Sequence, residues 1–191
     1  MNLCVIPARK GSKRIPGKNT NMFLGKPIIQ YVLSAAIQSE RFDKIIISSD
    51  NEELKNQYAE FYEQRSEYNC GDFATLSDVV DEVLAKYAEY ENICMVLPTA
   101  VFISPDIIRK TFKLLQYGSG VVTTSRIHPN MYVDAGQLYW LKVGAYKNAT
   151  GSKILRTANI SYVIDAVDIN TKEDWKLAEG IYESARGSVV G

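Results

Sequence analysis

Acidic residues are missing from the first 39 positions of this 191-residue chain, histidine occurs once, and cysteine three times. Each shortage excludes something. Cys4, Cys70 and Cys94 have no CxxC spacing, and Cys4 and Cys94 sit inside apolar, strand-like runs, so buried inert thiols are expected rather than ligands. His128, alone in the Ile127-His128-Pro129 context, is expected to be incidental rather than a catalytic base. No apolar run approaches the ~20 residues of a membrane span, and no signal-peptide pattern opens the sequence. The expectation is therefore a cytoplasmic protein without a membrane partner. No GxGxxG follows the first apolar run and no GxxxxGK[ST] occurs anywhere, which argues against a dinucleotide fold or a P-loop. Repeats, low-complexity tracts and linkers are also lacking, so one domain over residues 1–191 is expected. The formal net charge is zero, which gives no general case for binding nucleic acid.

That zero hides an asymmetry. Six of the 22 Lys/Arg residues lie before Glu40, leaving 16 basic against 22 acidic residues in the remainder. Five of the six fall in VIPARKGSKRIPGKN, residues 5–19. A short apolar run (Leu3, Val5, Ile6) leads directly into a bend shaped by Gly11, Pro16 and Gly17 and carrying Arg9, Lys10, Lys13, Arg14 and Lys18. Backbone N–H groups and cations on such a bend suit a polyanion, a nucleoside triphosphate first of all. A merely solvated patch would need no backbone shaping.

Periodicity then changes repeatedly. Strands are predicted over 2–6, 44–48, 93–97, 120–124, 135–142 and 160–164. Helices are predicted over 27–40, from about 51, over 72–90, from Pro105 to Leu115 behind Ser104, and over 171–184, where Thr171 and Asp174 stand at capping-box spacing. Ser49-Asp50 is expected to cap the second of these helices. Tyr58, Phe61 and Tyr62 are read at helical spacing, as core or an interface. Strands alternating with helices imply an α/β protein with right-handed crossovers, a mostly parallel sheet and helices on both faces. Ligands in such sheets bind beyond the carboxyl ends of the strands, where the cationic bend must lie.

PARKGSKRIPGKN closely resembles the nucleotide-binding signature of the cytidylyltransferases that activate sialic acid and related nonulosonic acids. Further matches follow in order: GKPIIQYVLSAA, IIISSD, Arg65 with Asp72 seven residues on, Pro98-Thr99, and DINTKEDWKLAE at 168–179. DAGQLYW at 134–140 resembles the bacterial pseudaminic acid enzymes, whereas sialate enzymes usually carry NG-x-x-Y. The resemblance implies a three-layer αβα sandwich of the Rossmann-like nucleotide-diphospho-sugar transferase type. It implies CTP and a nine-carbon sugar acid as partners, Mg²⁺ as cofactor and pyrophosphate as product.

It also implies roles residue by residue. Arg9, Lys13 and Lys18 would bind the triphosphate, with Ala8, Gly11 and Ser12 in the same signature and Asn19 on the nucleotide. Arg65 would lie near the cytosine or ribose; read without the resemblance it is an ordinary surface arginine. Asp168 would hold the metal, and Asn170 stands where relatives often carry a second aspartate. Gln137 and Tyr139 would meet the sugar, sharing one strand face while Leu138 and Trp140 share the other; a half-buried strand with a core Trp is the alternative. Arg9, Lys18 and Asp168 are thus the expected catalytic set. Relatives usually carry a long excursion between positions 126 and 134, over the sugar site and into the dimer interface. Here it is reduced to IHPNMYV, which weakens the expected homodimer. A sialate-type acceptor, an eight-carbon acid, or a CTP-binding relative without catalysis are the other readings.

Overall fold

Leu3 and Val5 pack with one group of buried side chains, and Cys4 and Ile6 with another. That alternation makes the opening strand the middle of a sheet covered on both faces. In the computed structural model, which describes residues 1–187, the sheet has seven strands. Residues 188–191, the end of the expected domain, lie outside the described residues.

The elements run β1 (Asn2–Pro7), β2 (Met22–Phe23), β3 (Lys26–Pro27), α1 (Ile28–Ser39), β4 (Lys44–Ser49), α2 (Glu52–Gln57), β5 (Tyr62–Gln64), α3 (Glu67–Cys70) and α4 (Leu76–Lys86). They continue with β6 (Asn92–Val96), α5 (Pro105–Leu114) closed by a 3₁₀ turn, β7 (Gly120–His128), β8 (Met131–Lys142), α6 (Val143–Asn148), α7 (Lys153–Thr157), β9 (Ile160–Val163) and α8 (Lys172–Gly187). Sheet order is β5-β4-β1-β6-β8-β7-β9, with β8 alone antiparallel to its neighbours. β2 and β3 form a separate two-stranded ribbon.

Three layers result. Ile29, Val32 and Leu33 of α1 and Ile108 of α5 cover one face; Val80, Val83 and Leu84 of α4, Tyr146 of α6 and Ile154 of α7 cover the other. A third cluster, Ile15, Phe23, Ile28, Val101, Ile169 and Ala178, joins the cationic bend to α8 beyond the strand ends. Cys4 and Cys94 are neighbours in the β1–β6 register, fully buried, and burial pushes both thiols well up from the ordinary range.

Several local expectations are corrected. The predicted helix over 72–90 is shorter at both ends: α4 spans only Leu76–Lys86, because Thr75 starts it with a reciprocal capping box to Asp78, and the short α3 lies before the predicted range. Asp50 does not cap α2. Asn51 accepts the Glu53 N–H with its own side chain, while the Asp50 carboxylate accepts the Lys10 N–H at 2.6 Å. Tyr58 ends α2, Phe61 lies in a loop and Tyr62 begins β5; all three are part-buried against the core, so their packing is as expected but not their helical spacing. Segment 126–134 is the tip of a long β7–β8 hairpin turning at Pro129-Asn130, with His128 opposite Met131.

Candidate functional site

After Pro7 the backbone keeps to the sheet for one more residue, Ala8 N–H donating to Ser48 O at 2.9 Å with the Ala8 side chain buried. The chain then leaves β1 as the cationic bend. Ile15 roots it in the third cluster. Gly17 takes φ +66°, a conformation costly for any residue with a Cβ, and its carbonyl accepts from both Thr20 and Asn21 N–H. Asn19 Nδ2 donates to Arg9 O at 2.9 Å, closing the bend on itself. The result is a cleft of ≈ 400 Å³ at the carboxyl ends of β1 and β6. Arg9, Gly11, Ser12, Lys13, Lys18 and Asn19 all line it, together with Arg14, and Leu76, Leu97, Pro98 and Thr99 form the opposite wall.

The cations are held in different ways. Lys13 Nζ stands 2.6 Å from Asp72 Oδ2, and Arg9 Nη1 is 3.7 Å from Asp72 Oδ1 and donates to Gly71 O at 2.9 Å. Lys13 holds the Asp72 carboxyl below the usual range, chiefly through that hydrogen bond. Lys18 is part-buried. Its Nζ donates to Ile169 O at 2.9 Å, and burial pulls its titration below that of an ordinary lysine while Asp168 pulls the other way. A desolvated ammonium is worth more to a phosphate than a solvated one.

Arg65 is not a surface arginine. It is 5% exposed, with Nη2 donating to Ser48 O at 2.7 Å and Nε to Ser48 Oγ at 3.1 Å, and it does not line the cleft. Its guanidinium fastens β4 to the segment after β5.

Asp168 comes from the turn before α8. Asn170 Nδ2 donates to Asp168 Oδ2 at 2.6 Å, while Asn170 N–H and Thr171 N–H both donate to Asp174 Oδ2, at 2.9 and 2.7 Å. Thr171 Oγ1 accepts the Asp174 N–H in return, completing the box expected from the spacing. Gly136, at φ +59°, lies against Asp168: a Cβ there would be 3.1 Å from the carboxyl carbon. At that positive φ a side chain would be strained, and its Cβ would press on the Asp168 carboxylate.

Gln137 is fully buried, its Nε2 donating to Ala135 O and Val167 O. Tyr139 is also buried and donates to Asp134 Oδ2 at 2.7 Å. Trp140 is a core residue stacked on Phe42 at 5.1 Å, with Leu138 in the same cluster and Tyr139 in the opposite one, as strand alternation requires. Leu97 N–H bonds Gln137 O, which places this end of β8 beside the cleft. Gly136 and Asp134 escaped the sequence reading. An isolated glycine inside a strand pattern was the available signal for the first.

Among the described residues no three His, Cys, Asp or Glu side chains gather as a metal cage, and no helix is long and apolar enough to cross a membrane. One carboxylate with a neighbouring amide is what Asp168 and Asn170 offer. That donor set fits Mg²⁺, which takes one or two carboxylates and completes its shell with phosphates and water.

The sequence profile of the cytidylyltransferase family matches residues 3–137. The CMP-N,N'-diacetyllegionaminic acid synthase of Legionella pneumophila is 26% identical over 230 aligned residues, covering 98% of this chain and 99% of that protein. The pseudaminic acid cytidylyltransferase of Campylobacter jejuni is 37% identical over 120 residues, 59% of this chain but only 52% of the relative's length. In fold, the chain is similar to a CMP:2-keto-3-deoxy-manno-octonic acid synthetase complexed with CTP, with TM-score 0.73 at 14% identity, covering 96% of this chain and 99% of that one.

Proposed function

The chain belongs to the cytidylyltransferase family, and from that premise we propose that it joins CTP to a nonulosonic acid, pseudaminic acid first, with release of pyrophosphate. The supporting observation is the convergence of Arg9, Lys13, Arg14 and Lys18 on one cleft beyond the parallel strands. In this reading the acid's anomeric hydroxyl oxygen attacks the α-phosphorus, the bond to the bridging oxygen breaks, and its electron pair leaves with pyrophosphate. Catalysis is then mostly positioning and charge neutralisation. Arg9 and Lys13 would take up the outer phosphates in exchange for Asp72. Lys18, desolvated and fixed by Ile169 O, would meet charge developing on the leaving group. Backbone N–H groups at Gly11 and Ser12 would add donors, and Asn19 would meet the nucleotide through its carbonyl oxygen. Arg65 would act from behind, by holding Ser48 and the end of β4. Tyr139 would face the sugar, with Gln137 buried behind it and tying this end of β8 to Val167.

Asp168, with Asn170 beside it, would hold Mg²⁺, which when bound would neutralise phosphate oxygens. With the excursion between 126 and 134 reduced to a hairpin tip, a homodimer would have a smaller interface there. Legionaminic acid is the second candidate acceptor, because the Legionella relative aligns with this chain over nearly its full length.

Calorimetry with CTP and a pyrophosphate-release assay with pseudaminic, legionaminic and N-acetylneuraminic acids test this. Wild type is expected to bind CTP and to release pyrophosphate only with an acid present, fastest with pseudaminic acid. Lys18→Ala should lower turnover by roughly 10²–10³-fold, the usual cost of losing one transition-state donor. CTP binding without turnover on any acid would favour a non-catalytic relative, and no CTP binding would end the proposal.

A further inference from the structure

Leu76 separates the phosphate cleft from a second cavity of ≈ 550 Å³ and lines both. The first turns of α4 supply Asp78 and Asp81 to this second cavity, the start of α7 supplies Lys153, and β8 supplies Asp134 and Tyr139. Resting on the nonulosonate reading above, we propose that this cavity receives the hydroxyl- and amide-bearing arm of the sugar acid, and that Asp134 selects it.

The cavity's other charges are already engaged. Asp78 Oδ2 accepts from Thr75 N–H and Oγ1 within the cap of α4, and Lys153 Nζ pairs with Asp81 Oδ2 at 2.8 Å. Asp134 differs. Its Oδ1 accepts the Gly136 N–H at 2.9 Å and its Oδ2 accepts the Tyr139 hydroxyl at 2.7 Å, and among the described residues no cation pairs with it. Burial first, then the charge of Asp134, pushes the Tyr139 hydroxyl well above its ordinary titration range, so it stays a donor and is committed to Asp134. A carboxylate has about four acceptor sites and no donor. Two are used here, and on the exposed carboxylate the others face solvent, open to donors that a ligand would bring in place of water.

Such a wall attracts hydroxyl and amide N–H groups and repels a carboxylate. The phosphate cleft next door has the opposite character, four cations on one bend. A 2-keto sugar acid offered to both compartments is therefore sorted. Its carboxylate end, which carries the attacking anomeric centre, turns to the cations, and its donor-rich arm turns to Asp134. A site built around a fixed polar partner discriminates strongly against analogues that lack the matching group.

The test is calorimetric titration of pseudaminic, legionaminic and N-acetylneuraminic acids into protein saturated with a CTP analogue bearing an α,β-methylene bridge, which prevents turnover. The tightest-binding acid is then compared with its analogue shortened to C7, in wild type and in Asp134→Asn. The exposed, near-isosteric change spares the fold, and affinity for the CTP analogue, staying within twofold, is the control. Asp134→Asn should weaken the full-length acid at least tenfold and the shortened acid less than threefold. Equal losses for both acids, or no loss, would overturn the assignment. So would a protein that binds the CTP analogue but none of the acids, and that result would leave the phosphate cleft intact. Failure to bind the CTP analogue at all would instead fell the underlying reading, and this inference with it.

Discussion

Asp72 is the residue on which the cationic cleft turns. It is the carboxylate that Lys13 and Arg9 share, at 2.6 and 3.7 Å, and any polyanion entering the cleft must compete with it. Asp72→Asn removes the competitor without removing a cation. Triphosphate affinity should therefore rise severalfold at low salt, and the difference should shrink as salt screens an exposed pair. Titrating CTP into both proteins at two ionic strengths checks this; weaker binding by the variant would show that Asp72 positions the two cations rather than occupying them. The residue scale also shows what sequence can and cannot reveal. Arg9, Lys13 and Lys18 were legible because cations around shaped glycines and prolines have few other uses. Arg65 was legible as a motif member but not in its burial, since nothing in its neighbourhood announces that Ser48 will take its guanidinium.

Elements were most legible where a stop or start signal is local. Thr171 and Asp174 predicted their box, and Ser104-Pro105 predicted the start of α5, because each cap is made within four residues. The helix read over 72–90 was right in kind but too long, because the apolar periodicity of α4 was extended back past Thr75, whose cap starts the helix. The strands read over 120–124 and 135–142 fell short because strand length is set by a partner, and β7 and β8 extend each other to His128 and Met131. The α8 cap has consequences beyond its helix. Asp174 accepts from Asn170, Asn170 donates to Asp168, and Ile169 O between them receives Lys18. Thr171→Ala should cost about 1 kcal/mol of stability, the ordinary price of a cap. It should also lower turnover at temperatures where the variant is fully folded. Chemical denaturation paired with steady-state kinetics separates the two effects; a stability loss with unchanged turnover would show that α8 does not steady the Asp168 turn.

The whole molecule ties its first loop to its last helix. Ile15, Phe23 and Ile28 pack with Ile169 and Ala178, and Phe23 meets Trp175 and Tyr182 edge-on at 5.6 and 5.8 Å. No periodicity signals such a joint, because it is made by residues some 150 positions apart. Trp175→Ala should cost roughly 2–3 kcal/mol, less than a fully buried Trp. Amide exchange should quicken in residues 15–21 as well as in α8; acceleration confined to α8 would mean that the bend stands unaided. The same joint orders events during synthesis. Ribosomes deliver the cationic bend first, yet Ile169 O, which steadies Lys18, emerges about 150 codons later. A half-made polypeptide therefore lacks the finished cationic bend, and if the proposed CTP binding holds, nucleotide capture should begin only after the closing helix has been translated.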